Sequence, residues 1–283
     1  PHLLATLAAR PGAAGPFRSF VAADLQRRMT GLVEQHGRRL AARNVRNLAA
    51  VVIDNRSAAV AAYAGNVGLD RREEQGQSVD VLQRRRSTGS ILKPFLYAAM
   101  IKEGGLTPVT LVPDVPVRFE GFKPENFDRR FRGAVPARAA LAWSLNVPAV
   151  RELREYGIPR FENLLRRWGL TTLDRSPEDY GLTLVLGGAE GKLIEVAALY
   201  AKLAQLASGA PGGGREVRLL RDEAEAPSKM KELGAASAFL TLQALTAVNR
   251  PDEEGFWRNF SSSKWVAWKT GTSFGLRDAW AVG

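Results

Sequence analysis

The stretch Arg86-Ser87-Thr88-Gly89-Ser90-Ile91-Leu92-Lys93-Pro94, followed by the apolar run of residues 95–101, decides how the rest of the sequence is read. A helix beginning near Ser90 puts Ser90 and Lys93 on one face, one turn apart. Pro94 supports a start there, because a residue without an N–H is tolerated only in a helix's first turn. In that placement the serine sits at the positive end of the helix, where developing negative charge is favoured, and a lysine is close enough to share its proton. Ser-x-x-Lys alone is a common coincidence. Ser261 and Lys264 repeat it among three consecutive serines, where no helix aligns the pair.

Composition narrows the chemistry. With 283 residues, 45% of them hydrophobic, the chain can bury a sizeable core. No apolar stretch reaches the roughly 18 residues of a membrane span, and the first ten residues lack the pattern of a secretory signal. Cysteine is absent, which removes disulfides, thiol nucleophiles and cysteine-bound zinc. The only histidines are His2, near the start, and His36, in the polar run Glu34-Gln35-His36-Gly37-Arg38. A Ser-His-Asp triad or a histidine-rich metal site therefore has no material, no metal or cofactor is expected, and the base of a serine enzyme here must be something else. The net charge of +11 suits an anionic neighbour, but the 31 arginines are scattered rather than gathered on a stripe, which argues against a nucleic-acid partner.

Taken in order, residues 1–19, rich in Ala, Gly and Pro, read as a linker, and residues 20–43 as an amphipathic lead-in helix. Residues 48–54 and 58–64 form a hairpin around Asn55-Arg56-Ser57, and a polar loop leads to residue 86. From Ile91 to about Val248 the signals are mainly helical, with a buried helix over 95–103 stopped by Gly104-Gly105. Helices are also expected over 136–143, 148–156, 161–168, 192–207 and 235–248. The Pro- and Phe-rich stretch 106–132 is too irregular for a helix and too apolar for disorder, so it should wrap over a groove. Residues 265–273 and 278–282 return as strands around a turn at Phe274-Gly275-Leu276-Arg277. The expected fold is α/β (α+β): one antiparallel sheet from both chain ends, with a helical region of about 87–250 inserted between them. Residues 44–283 then form the functional domain.

Three motifs occur in order: Ser90-x-x-Lys93, Ser144-x-Asn146 and Lys269-Thr270-Gly271. Together they are far more specific than any one of them. Ser90 is the candidate nucleophile and Lys93, made less basic by burial and a neighbouring lysine, the candidate base. Ser144 can pass a proton to a leaving amine, and Asn146 can bond Lys93 on one side and a substrate amide on the other. Lys269 offers charge to a substrate carboxylate, Thr272 and Ser273 offer hydroxyls, and Gly271 leaves room for a substrate backbone beside the strand. The backbone N–H groups of Ser90 and Thr272 are natural oxyanion donors. Gly187-Gly188-Ala189-Glu190-Gly191-Lys192 lacks the spacing of a phosphate loop and reads as a loop or helix entry. No motif places a second carboxylate near Ser90.

The residues around these motifs, Arg86 through Tyr97, Pro124-Glu125-Asn126-Phe127-Asp128, Ser144 through Val150 and Lys269 through Trp280, resemble the transpeptidase domain of class A penicillin-binding proteins from about Leu48 onward. The resemblance implies a serine β-lactamase/transpeptidase-like fold. It also implies D,D-transpeptidase activity on peptidoglycan stem peptides and glycan strands at the periplasmic face of the inner membrane. β-Lactam antibiotics would acylate the same serine, and a glycosyltransferase domain and membrane anchor would lie upstream. Leu145, where β-lactamases carry Asp, favours the penicillin-binding side. A hydrolase of the D,D-carboxypeptidase or β-lactamase type and a non-catalytic β-lactam sensor are the alternatives. The family places one more strand after the returning one, so a C-terminally truncated domain is expected.

Overall fold

The computed structural model describes residues 2–10, 16–67, 76, 78–247 and 265–283. It begins with a short helix α1 (His2–Ala8) rather than the linker expected over residues 1–19. Leu7 is buried with Val60, Tyr63 and Leu82, and Thr6 Oγ1 donates to Asp80 Oδ2 at 2.6 Å. The Leu and Thr side chains of this stretch are what the reading by composition overlooked. Helix α2 (Ala23–Ala41) is amphipathic as expected, and Leu25, Met29 and Val33, at a four-residue spacing, pack on Ala62 and Ala64.

Strands β1 (Ala50–Asp54) and β2 (Ala59–Ala64) pair antiparallel, with Val51 opposite Tyr63. Asp54 closes their turn by accepting from the Arg56 N–H at 2.8 Å. After a two-residue strand β3 (Arg86–Ser87) comes helix α3 (Lys93–Lys102), whose residues 93 to 100 are all buried. It is the centre of the core. Phe95 meets Tyr200 edge to face at 5.0 Å, and Tyr200 Oη donates to the Ile91 carbonyl at 2.7 Å.

The Pro-rich stretch contains two short strands, β4 (Leu111–Asp114) and β5 (Gly133–Pro136), paired antiparallel. Within the loop they enclose, Phe119 and Phe122 pack on the core while Phe127 points to solvent. Helices α4 (Ala137–Ala142), α5 (Asn146–Tyr156), α6 (Ile158–Trp168) and α7 (Pro177–Tyr180) follow, then β6 (Glu190–Gly191), α8 (Leu193–Ala207) and α9 (Ala235–Leu245). The last elements are β7 (Lys269–Thr272) and β8 (Ala279–Val282), paired with Gly271 opposite Trp280.

The architecture is the mixed helix-and-sheet fold expected, with strands at both ends and helices between. Among the described residues, however, the strands make four two-stranded ladders, and β1–β2 and β7–β8 are separate ladders rather than one sheet. A groove of about 460 Å³ lies where they would meet, walled by Val51 and Ile53 of β1 and Ala281 and Val282 of β8, with Ala197 and Ala201 of α8 also lining it. Among the described residues, no helix is long and apolar enough to cross a membrane.

Candidate active site

The helix expected to begin near Ser90 begins at Lys93, and Ser90 lies in the turn before it. That turn is built from three-residue bonds: Ile91 N–H to the Thr88 carbonyl at 3.2 Å and Lys93 N–H to the Ser90 carbonyl at 3.3 Å. From Thr88 to Met100 every residue is buried except Ser90, which is half-buried. The core thus fixes the turn on both sides and leaves the one hydroxyl reachable.

The turn is gripped by backbone. Gly89 has φ +52°, and a Cβ there would lie 2.6 Å from Thr272 N and 2.7 Å from Thr272 O. A Cβ on Gly271 would lie 2.6 Å from the Thr88 carbonyl. Strand β7 therefore sits directly against the nucleophile turn. This corrects the role expected of Gly271: the space its missing side chain leaves is filled by Thr88 and Ile91, not kept for a substrate. From the other side Thr88 N–H donates to the Ala189 carbonyl at 3.0 Å, Ser87 Oγ donates to the Gly187 carbonyl at 2.8 Å, and β3 pairs with β6. The Gly187–Lys192 segment buttresses the turn, and Trp280 Nε1 fastens β8 to it by donating to the Ser87 carbonyl at 2.8 Å.

Two buried lysines converge on Ser144. This residue ends α4 in the left-handed region at φ +57°, a conformation that costs a non-glycine residue energy and is held here by its neighbours. Lys93 Nζ donates to the Ser144 carbonyl at 2.8 Å, the Leu145 carbonyl at 3.0 Å and Asn146 Oδ1 at 2.7 Å. Lys269 Nζ donates to Ser144 Oγ at 2.8 Å and to the Thr270 carbonyl at 2.7 Å. Lys93, Ser144, Asn146 and Lys269 thus form one hydrogen-bonded unit, with Ser90 one turn before Lys93.

Asn146 is aimed from outside its helix. Asn126 Oδ1 accepts from the N–H groups of Asn146 at 2.8 Å and Val147 at 3.3 Å, capping α5 in place of a local side chain. Asn126 Nδ2 donates to Asp114 Oδ1 at 2.7 Å and to the Arg130 carbonyl at 2.8 Å, while Asp114 Oδ2 accepts from the Arg132 N–H at 3.0 Å. Asn146 Nδ2 donates to the Glu125 carbonyl at 2.8 Å, which uses one of its two N–H donors. Asn126 and Asp114 carry no chemistry of their own and were not singled out as site residues, although Asn126 stands in the Pro124–Asp128 stretch that supports the family resemblance.

Of the remaining expected residues, Thr270 is half-buried and Thr272 exposed at the end of β7. Ser273 is buried, and its Oγ accepts from the Asp278 N–H at 2.7 Å. That hydroxyl closes the β7–β8 turn rather than facing a substrate. Ser261 and Lys264 lie outside the described residues. Among the described residues, no group of three or more His, Cys, Asp or Glu could hold a metal ion.

Electrostatics makes both lysines less basic than usual. Burial first, and the charge of Lys269 second, hold Lys93 well below the ordinary lysine range, with Glu152 opposing them. Burial brings Lys269 down to about 7. Glu152, on α5, is pushed up to about 8 by burial, against the pull of Lys93. The arrangement offers a reachable hydroxyl, an amine one turn away able to lose its proton, a second hydroxyl bonded to Lys269, and backbone N–H groups at the turn.

Residues 48–205 match the family model of the penicillin binding protein transpeptidase domain. Over 92% of its length the chain is 37% identical to penicillin-binding protein 1C of Escherichia coli, covering 32% of that protein. It is 29% identical to penicillin-binding protein 1B of Vibrio cholerae, over 83% of the chain and 31% of the relative. The chain thus spans about a third of these relatives' length. The fold superposes on the penicillin-binding protein PonA1 of Mycobacterium tuberculosis with a TM-score of 0.71 at 22% identity, covering 94% of this chain and 72% of that one. A second PonA1 structure, in complex with penicillin V, gives 0.69 at 21% identity, over 94% and 73%.

Proposed function

This chain belongs to the penicillin-binding protein transpeptidase family, and we propose that it is a serine D,D-transpeptidase that cross-links peptidoglycan through an acyl-Ser90 intermediate. Ser90 Oγ attacks the carbonyl between the two residues of a stem peptide ending in D-Ala-D-Ala. Lys93 takes the hydroxyl proton, and the N–H groups of Ser90 and Thr272 stabilise the oxyanion, roughly 3 kcal/mol for each donor. Ser144 passes a proton to the departing amine, and free D-Ala leaves. An amine of a neighbouring stem then attacks the acyl-serine, loses its proton to the same groups and releases Ser90. Lys269, Thr270 and Thr272 receive the substrate's carboxylate and backbone. β-Lactams stop at the acyl stage on the same serine.

The observation that carries this reading is the joining of Lys93 and Lys269 through Ser144, beside the one reachable hydroxyl of an otherwise buried turn. Lys93 can receive the Ser90 proton without a histidine, and Lys269, bonded to the Ser144 hydroxyl, can replace the proton that Ser144 passes to the leaving amine. The working site faces the periplasm, and the parent protein adds a glycosyltransferase domain and a membrane anchor. Labelling with fluorescent penicillin followed by mass mapping tests the assignment. The adduct should map to Ser90 and vanish in Ser90→Ala, and in Lys93→Ala acylation should fall by a factor of about 10² to 10⁴ while pre-covalent binding persists. A label that survives Ser90→Ala, or maps to Ser261, overturns it.

A further inference from the structure

Ser144 is preceded by a residue that the reaction above does not use. Trp143 closes helix α4, whose Ala140, Leu141 and Ala142 are buried, yet its own side chain stays 50% exposed. Half of the largest apolar side chain is thus surface that the fold does not bury. Its indole N–H is equally uncommitted. Trp168 and Trp280 give theirs to Glu232 Oε1 at 3.0 Å and the Ser87 carbonyl at 2.8 Å, whereas among the described residues no acceptor takes that of Trp143.

The ring is nevertheless fixed. The Arg132 guanidinium lies over it, 5.8 Å from the ring centroid. Arg132 is itself held, its Nη2 donating to Asp128 Oδ2 at 2.6 Å and its backbone N–H to the buried Asp114 at 3.0 Å. The same loop ties this ring to the site. The Glu125 carbonyl accepts from Asn146 Nδ2 at 2.8 Å, Asn126 caps α5, and Arg132 reaches Trp143. Residues 125–132 therefore span the wall from Asn146 on one side of Ser144 to Trp143 on the other. Phe127 and Phe131 of this loop are exposed as well, which makes the rim of the wall apolar.

A donor bound for acylation has its carboxylate at Lys269, its reacting carbonyl at Ser90 and an amide at the N–H that Asn146 keeps free. Whatever group that amide carries must leave the cleft over this wall. We propose that Trp143 is a specificity-determining residue of the donor site: its indole receives the apolar or aromatic group attached to the amide that Asn146 meets, and Arg132 positions the ring. The inference rests on the functional reading above. Donors that carry such a group should bind more tightly before the chemical step than donors that lack it.

The test compares benzylpenicillin with 6-acetamidopenicillanic acid, which keeps the ring, carboxylate and amide but has a methyl in place of the benzyl group. Each is followed by the rate at which it adds its mass to the full chain. The unmodified chain should prefer benzylpenicillin, and in Trp143→Ala that preference should fall about tenfold, through the concentration giving half-maximal rate and not through the limiting rate. Trp143→Phe, which keeps a ring, should retain most of the preference, and Arg132→Gln, which frees the indole, should lose about threefold. A second readout needs no acylation. In Ser90→Ala benzylpenicillin should quench tryptophan fluorescence, and adding Trp143→Phe should remove the quench. Equal falls for the two penicillins, or a loss confined to the limiting rate, overturn the inference by making Trp143 a support of the wall. A quench that survives Trp143→Phe overturns it too. Adducts that map away from Ser90, or none with either penicillin on the unmodified chain, overturn the functional reading and this inference with it.

Discussion

The two walls of the cleft are held by different forces. The wall of Ser144 and Asn146 is tied by polar bonds to buried groups: Asn126 caps α5 and is itself fixed by Asp114, which is fully buried. The wall of Lys269 is held mainly by contact, with the backbone of β7 against the nucleophile turn through Gly89 and Gly271; its polar ties are the indole bond from Trp280 and the bond from Lys269 to Ser144 Oγ, and it ends in a turn whose Phe274 is wholly exposed. A wall tied by hydrogen bonds fails when a partner is lost, whereas one held by contact fails when volume is added.

The largest break should come from Asn126→Ala. It leaves two α5 N–H groups uncapped and a buried Asp114 short of a partner, and should cost about 3 kcal/mol of stability in chemical denaturation. Acylation should fall with it, because Asn146 loses its aim; a variant as stable as the wild type would show that the polar wall does not depend on this network. Gly271→Ala adds a methyl 2.6 Å from the Thr88 carbonyl and should cost about 2 kcal/mol. Its acylation rate should drop even under conditions where the variant is folded, since the strand must move off the turn. An unchanged rate would mean that the contact wall has slack.

The smallest effect concerns charge. Lys269 titrates near pH 7, far below the ordinary lysine value, so pre-covalent binding of an anionic penicillin should weaken about fivefold between pH 7 and 8 as the ammonium is lost. Because its folded-state value is lowered, holding the proton opposes folding. That cost is full below about pH 7 and is relieved as pH rises toward the ordinary lysine range. Lys269→Met should therefore melt higher than the wild type at pH 6, with the gap closing at alkaline pH. A variant that melts lower at pH 6 would show that the hydrogen bonds to Ser144 and Thr270 outweigh the buried charge.

The candidate motifs are legible in the sequence because their parts are local. Ser90 and Lys93 are three residues apart, as are Lys269 and Thr272, and each motif carries its geometry within one turn or strand. What could not be read depends on chain segments far apart. Asn126 caps a helix twenty residues away, and Asp114 acts through Asn126. Gly271 was recognised as a close approach but given the wrong neighbour, since sequence shows that a Cβ is missing and not what fills its place. The start of α3 slipped by three residues because Gly89, at positive φ, lets the chain coil tightly before the helix takes over. Helix α1 was lost among the Ala and Gly around it.

Ser144 gives one consequence for how such a site responds to substitution. Its hydroxyl holds one lysine and its carbonyl the other, and its left-handed backbone lets both groups be offered at once. The two groups move independently, since the hydroxyl turns about Cα–Cβ and the carbonyl is fixed by the backbone. Loss of the Ser144 hydroxyl therefore strips a bond from Lys269 and leaves the hold on Lys93 intact.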